Sequence, residues 1–106
     1  MNNFFDIVAD LVQVDRRRDY DHPLDCCSRI AKTWEAVLGI DITPEQVALC
    51  LAGMKIARES HRPKKDNRLD LAGYAWVIDQ VHEERDRRKA CQELANLEQD
   101  LKYEHA

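Results

Sequence analysis

Apolar residues in this chain recur at intervals of three and four in several successive segments, and nowhere do Val, Ile, Thr or aromatic residues alternate with polar ones over a strand's length. Only three Gly and three Pro interrupt them. The pattern predicts an all-α fold, a compact helical bundle of four to five helices that ends in a long C-terminal helix. With 106 residues, 44% hydrophobic and 34% charged, there is material for one domain. A domain of this size buries only roughly 60 to 65% of its unfolded surface, so helix faces left uncovered are expected to meet a second copy in a homo-oligomer.

Phe4, Val8, Leu11 and Val12, with Phe5 beside them, predict a first helix over Asn3 to Arg17, followed by the charged segment Arg16 to Asp21. Pro23 suits the first turn of a second helix, whose apolar face is Cys27, Ile30, Ala31, Trp34, Val37 and Leu38, and Gly39 ends it. Thr43 as N-cap, Pro44 as first helical residue and Gln46 as partner of a capping box open a third helix. Its predicted apolar face is Val47, Cys50, Leu51, Met54 and Ala57. Pro63 breaks that helix, and a fourth is expected from Asp66 or Asn67 through Leu69, Ala72, Gly73, Trp76 and Val77 to about Val81. The charge-dense run His82 to Lys89 either extends or bends it. Beyond, Ala90, Leu94, Leu97 and Leu101 form a short seam suited equally to intramolecular packing or to a dimer contact. The organisation expected is one domain over 1–106, with core helices in 1–81 and a charged C-terminal helix in 82–106.

Several function classes are excluded by composition. Met1 to Asp15 carries Asp6, Asp10 and Gln13 within its apolar pattern and lacks a basic leader and a cleavage site, so it does not read as a signal peptide. No apolar run approaches the roughly 20 residues that span a bilayer, so a cytoplasmic protein without membrane partners is expected. Cys26, Cys27, Cys50 and Cys91 read as reduced core thiols, and the ligand pairs that zinc requires do not occur, His22 with Cys26 and Cys27 being the nearest approach. A formal net charge of −4 argues against generic DNA or RNA binding.

One stretch gathers residues that could carry chemistry. From Lys55 the sequence reads K-x-x-R, a gap of seven residues, then D-x-x-x-D-x-x-G-Y ending at Tyr74. On a helix, Asp66 and Asp70 project from one face, with Tyr74 one turn further along the stripe. Two such carboxylates suit Mg²⁺ as hard oxygen ligands, while Lys55 and Arg58 could hold phosphates, with Arg62, Lys64 and Lys65 adding positive potential. An ordinary structural reading stands beside this one. Asp66 then serves as an N-cap, Asp70 pairs with a nearby cation, and Lys55 and Arg58 are charges favoured at a helix C-terminus. Gly73 costs about 1 kcal/mol relative to alanine within a helix, which suggests close helix approach there. Trp34 reads as core, His22 and His61 as solvated loop residues, and Tyr20 as a ring that could stack on a base.

The blocks D-Y-D-H-P (19–23), I-A-x-x-W (30–34), I-T-P-E-Q-V-A (42–48), K-I-A-R-E (55–59) and D-N-R-L-D-L-A-G-Y-A (66–75) resemble a group of small bacteriophage proteins. The resemblance covers about residues 15 to 80. That group in turn resembles, more distantly, the all-helical nucleotide pyrophosphohydrolases of the MazG and phage dUTPase type. The resemblance implies Mg²⁺ held by acidic residues on helices, a nucleotide or cyclic nucleotide ligand, and assembly as dimers or tetramers. MazG-type sites pair an E-x-x-E with a later E-x-x-D, however, and here only the second element is present, altered to Asp66-x-x-x-Asp70. The expectation is phosphate recognition by Lys55, Arg58 and Lys65, with Tyr20, Asp66, Asp70 and Tyr74 as further ligand contacts. Three functions follow: a non-catalytic sponge for a host defence signalling nucleotide, a Mg²⁺-dependent pyrophosphohydrolase, or a helical protein-interaction module.

Overall fold

Thr43 and Pro44 set the clearest boundary in the chain. In the computed structural model, which describes residues 3–15 and 21–104, Thr43 Oγ1 accepts the Gln46 N–H at 3.2 Å and Gln46 Oε1 accepts the Thr43 N–H at 2.9 Å. This reciprocal capping box satisfies two of the donors a helix start leaves open. It starts α3 (Pro44–His61). Before it, α1 (Phe4–Asp10) widens into a π-helical turn over Leu11–Asp15, and α2 spans Pro23–Leu38. The fourth helix, α4 (Lys65–Glu104), is 40 residues long. All described elements are helical, as the spacing predicts.

Each junction has an identifiable cause. Gly39 ends α2 with φ 71°, a left-handed conformation that glycine adopts without steric cost, and its N–H donates to the Glu35 carbonyl at 2.8 Å. The Glu35 carboxylate then accepts the Ile42 N–H at 3.1 Å, closing the turn into α3. His22, expected in solvent, instead caps α2: its Nδ1 accepts the Leu24 N–H at 3.1 Å. Asp66, considered as an N-cap for α4, lies in that helix's first turn, because the helix already begins at Lys65.

The core lies where α2, α3 and α4 meet. Leu24, Cys27 and Ala31 come from α2, Val47 and Ala48 from α3, and Val77 and Val81 from α4, with Ile30, Trp34, Leu51 and Trp76 packed against them. These side chains are mostly small, so the helices approach closely. The predicted faces need adjustment at their ends. Val37 and Leu38 are exposed at the end of α2, and Cys50, Met54 and Ala57 are exposed on α3, where Ala48 takes the buried position instead. Of the cysteines expected in the core, Cys27 is buried and Cys26 is half-buried, whereas Cys50 and Cys91 are exposed. The reason is geometric: among the described residues, neighbours cover only one side of α3, and its second apolar stripe is left exposed.

The charged run 82–89 extends α4, whose helix is continuous through it. Ion pairs replace the missing apolar anchors. Arg85 grips Glu45 at the start of α3, and Arg88 makes two hydrogen bonds of 2.9 Å to Asp25 at the start of α2. Both carboxylates sit in first helical turns, where the helix dipole favours negative charge. Glu84 engages Arg87 and Arg88 and lies 3.8 Å from His22. Beyond these contacts α4 runs on alone, and the molecule is 66 Å in its longest dimension.

Candidate functional site

The tight link between α3 and α4 aligns two helices that run antiparallel, so residues equally far from the turn face one another. Nearest the turn is Glu59, whose Oε1 accepts the Lys64 N–H at 2.8 Å and lies 3.4 Å from Asn67 Nδ2. Its other oxygen binds Arg68. The Lys64 N–H and then the Arg68 guanidinium hold the Glu59 carboxyl below the usual carboxylate range. Asn67, a buried polar side chain, also reaches the Arg62 carbonyl at 3.4 Å. Glu59 therefore orders the turn and supplies negative charge to the start of α4. The sequence motifs assign Glu59 no role. Its spacing of four from Lys55, on the stripe facing α4, is the signal that could have identified it.

One turn further from the link, Lys55 Nζ lies 2.8 Å from Asp70 Oδ2. The two side chains are 14% and 26% exposed, so this cross-helix ion pair is largely sheltered. Another turn along, Tyr74 and Leu51 line a cleft of about 280 Å³ whose other walls include Val12, Cys26, Ile30 and Trp76. The cleft is mainly apolar and near the lower size limit of small-molecule sites. Gly73 lies beside it, and a Cβ there would stand 3.4 Å from Val12 Cγ1, so the π-helical turn after α1 closes on α4 through a side chain.

The predicted site residues divide into three sets. Lys55 and Asp70 are brought together, and Tyr74 follows on the same stripe. Arg58, Lys65 and Asp66 are exposed around the turn, with Arg62 and Lys64 exposed beside them. Tyr20 lies outside the described residues. Between Lys55 and Arg68 the chain holds six Lys or Arg against Glu59 and Asp66, a strong positive bias in a protein of net charge −4.

The two carboxylates expected to hold a metal have different surroundings. Asp70 faces Lys55, Asp66 faces solvent, and among the described residues no three His, Cys, Asp or Glu side chains form a group that could hold a metal ion. Chemically, the arrangement offers exposed cations around an ordered turn and one sheltered lysine beside an apolar cleft with a phenol on its wall. Among the described residues, no helix is long and apolar enough to cross a membrane.

Comparison with known proteins agrees with this geometry in extent. Over 81 residues the chain is 33% identical to the Gene 55 protein of Mycobacterium phage L5, and over 75 residues it is 32% identical to that of Mycobacterium phage D29. These matches take in 74% and 70% of this chain but 52% and 50% of the relatives, so the chain spans about half the length of the curated relatives it matches. No solved structure matches it. The domain of unknown function DUF6378 matches residues 3–82, which hold the buried core and the Lys55–Tyr74 segment, and the chain belongs to that family.

Proposed function

We propose that this is a phage nucleotide-binding protein acting in the host cytoplasm, with phosphates held at the α3–α4 turn and the base or sugar directed toward the cleft lined by Tyr74. The observation that carries this reading is the juxtaposition of exposed Arg58, Lys64 and Lys65 with the sheltered Lys55 and the adjacent apolar cleft. Asp70 pre-positions the Lys55 ammonium, so an arriving phosphate meets a cation that has already lost its rotamer freedom. Arginine and lysine at such a rim give the charge-assisted contacts phosphates require.

Sequestration is favoured over hydrolysis. A pyrophosphohydrolase needs carboxylates available for Mg²⁺, and Asp70 is already engaged by Lys55. Mg²⁺ would have to arrive with the phosphates and take Asp66 or Asp70 as a single protein ligand, a mode in which the ion keeps most of its waters. A sponge for a host signalling nucleotide needs only the cations and the cleft.

This reading also assigns a second copy of the chain to the exposed face of α3 formed by Leu49, Gly53, Met54 and Ile56. From Leu49 to Ala57 the only charge is Lys55, which turns inward, so two copies can approach without repulsion. Among the described residues, a Cβ at Gly53 would meet nothing within 4 Å, so no contact among them accounts for a glycine there. Sedimentation should show a dimer that Met54→Glu dissociates.

A thermal-shift screen against nucleotides and cyclic nucleotides, with and without Mg²⁺, tests the binding reading, because a ligand specific to the folded state raises apparent stability. At least one phosphate-bearing ligand should raise Tm, and Arg58→Ala with Lys65→Ala should remove the rise. Both residues are exposed, so the fold tolerates their loss. A rise that persists in the double variant would move the site elsewhere.

A further inference from the structure

From Asp86 to Glu104 every residue of α4 is exposed, and this overhang lies beyond residue 82, where the DUF6378 match ends. A helix with no tertiary cover has little reason to carry aligned leucines. Yet Ala90, Leu94, Leu97 and Leu101 recur at spacings of four, three and four, and the leucines are 61%, 58% and 51% exposed. The seam spans about three turns of continuous helix, and among the described residues it is exposed throughout.

The residues on its two edges identify the occupant. Asp86, Glu93 and Asp100, each seven apart, run along one edge, and Glu98 lies on the other with Cys91. No lysine or arginine occupies either edge: Arg88, Lys89 and Lys102 fall on the far side of the helix. A second copy of this seam is therefore a poor partner. Parallel pairing would set Glu93 against Glu98, and antiparallel pairing would set Glu93 against Asp100. Like charges at these flanking positions oppose association and help decide partner choice.

We propose that residues 90–101 are a docking seam for a basic amphipathic helix of a partner protein, one with apolar residues at three- and four-residue spacing and Lys or Arg along both flanks. The leucines supply the buried contact, and the four acidic edge residues select the charge of the partner. This function is independent of nucleotide binding at the α3–α4 turn.

The test uses the whole chain and two fluorescent designed helices about three heptads long, identical at their leucine seam but carrying Lys or Glu at every flanking position. Fluorescence anisotropy should show the Lys-flanked helix binding at least about tenfold more tightly than the Glu-flanked one, with affinity falling as salt is raised. Leu97→Asp should abolish binding. Because that variant adds negative charge, attraction of a basic peptide to an acidic protein by charge alone would survive it, and survival overturns the proposal. Glu93→Lys combined with Asp100→Lys should reduce or invert the preference between the two helices. Equal affinities, no binding, or self-association of the chain that Leu97→Asp removes would each overturn it.

Discussion

Arg85 and Glu45 join the middle of α4 to the start of α3, and removing this pair tests whether charges rather than apolar contacts anchor residues 82–88. Arg85 Nη1 donates to Glu45 Oε2 at 2.6 Å, and Nη2 donates to the other oxygen. The Glu45 side chain is 18% exposed and that of Arg85 41%. The Arg85 hydrogen bonds outweigh desolvation and, with the backbone N–H of Glu45, lower the Glu45 pKa to about 2 from an ordinary 4.5. At about 1.36 kcal/mol per pKa unit, that difference sets a ceiling of about 3 kcal/mol near neutral pH. Water around the partly exposed guanidinium screens the pair, so the expected coupling is about 1 to 2 kcal/mol. The sign follows from a folded-state pKa below the unfolded one: the stabilisation is complete above about pH 4.5 and is lost as pH falls through about 2. Urea denaturation of the parent, Glu45→Gln, Arg85→Met and the double variant gives the coupling from a double-mutant cycle. Repeating the cycle at about pH 3 should reduce it to roughly half or less. A coupling below about 0.3 kcal/mol near pH 7, or one that does not fall with pH, would refute the reasoning.

Three further substitutions probe the fold that positions the site. Thr43→Ala removes one arm of the capping box and should cost about 1 kcal/mol, read as a Tm fall of about 4 to 8 °C. Gly73→Ala should raise Tm by a similar amount, since the new methyl makes an ordinary contact with Val12 and gains about 1 kcal/mol of helix propensity; a fall would mean that the π-helical turn after α1 packs more tightly on α4 than described. Glu59→Gln should lower Tm and speed hydrogen exchange at the Lys64 amide, which donates to that carboxylate. Unchanged exchange would remove Glu59 from its role in ordering the turn.

Local chemistry made much of this architecture readable. Thr43, Pro44 and Gln46 start a helix, and Gly39 stops one, through hydrogen bonds within a few residues, so their meaning does not depend on the rest of the molecule. Which side of α3 is buried does depend on it. Val47 and Cys50 have equal claims by spacing, and only the placement of α2 and α4 decides that Val47 and Ala48 go inside while Cys50 and Met54 face out. The path of residues 82–88 was open for the same reason. Their anchors, Asp25 and Glu45, lie 63 and 40 residues from Arg88 and Arg85, beyond the reach of any local pattern.

At the candidate site, spacing placed Asp70 and Tyr74 on one stripe, and the pairing of Asp70 with a nearby cation was among the readings the residues allowed. Spacing alone could not show that Lys55 is that cation, since it depends on the angle between α3 and α4. Nor could it assign Glu59, whose partners lie across the turn.

Phosphate recognition at the α3–α4 turn is measured most directly by isothermal titration of the protein with a nucleoside triphosphate and with a cyclic nucleotide, in the parent and in the Arg58→Ala, Lys65→Ala double variant. The account predicts binding of at least one of these ligands, weakened by about tenfold or more in the variant while the Tm of the unliganded protein is unchanged. Equal affinity in the two proteins, or no heat of binding with either ligand, would contradict it.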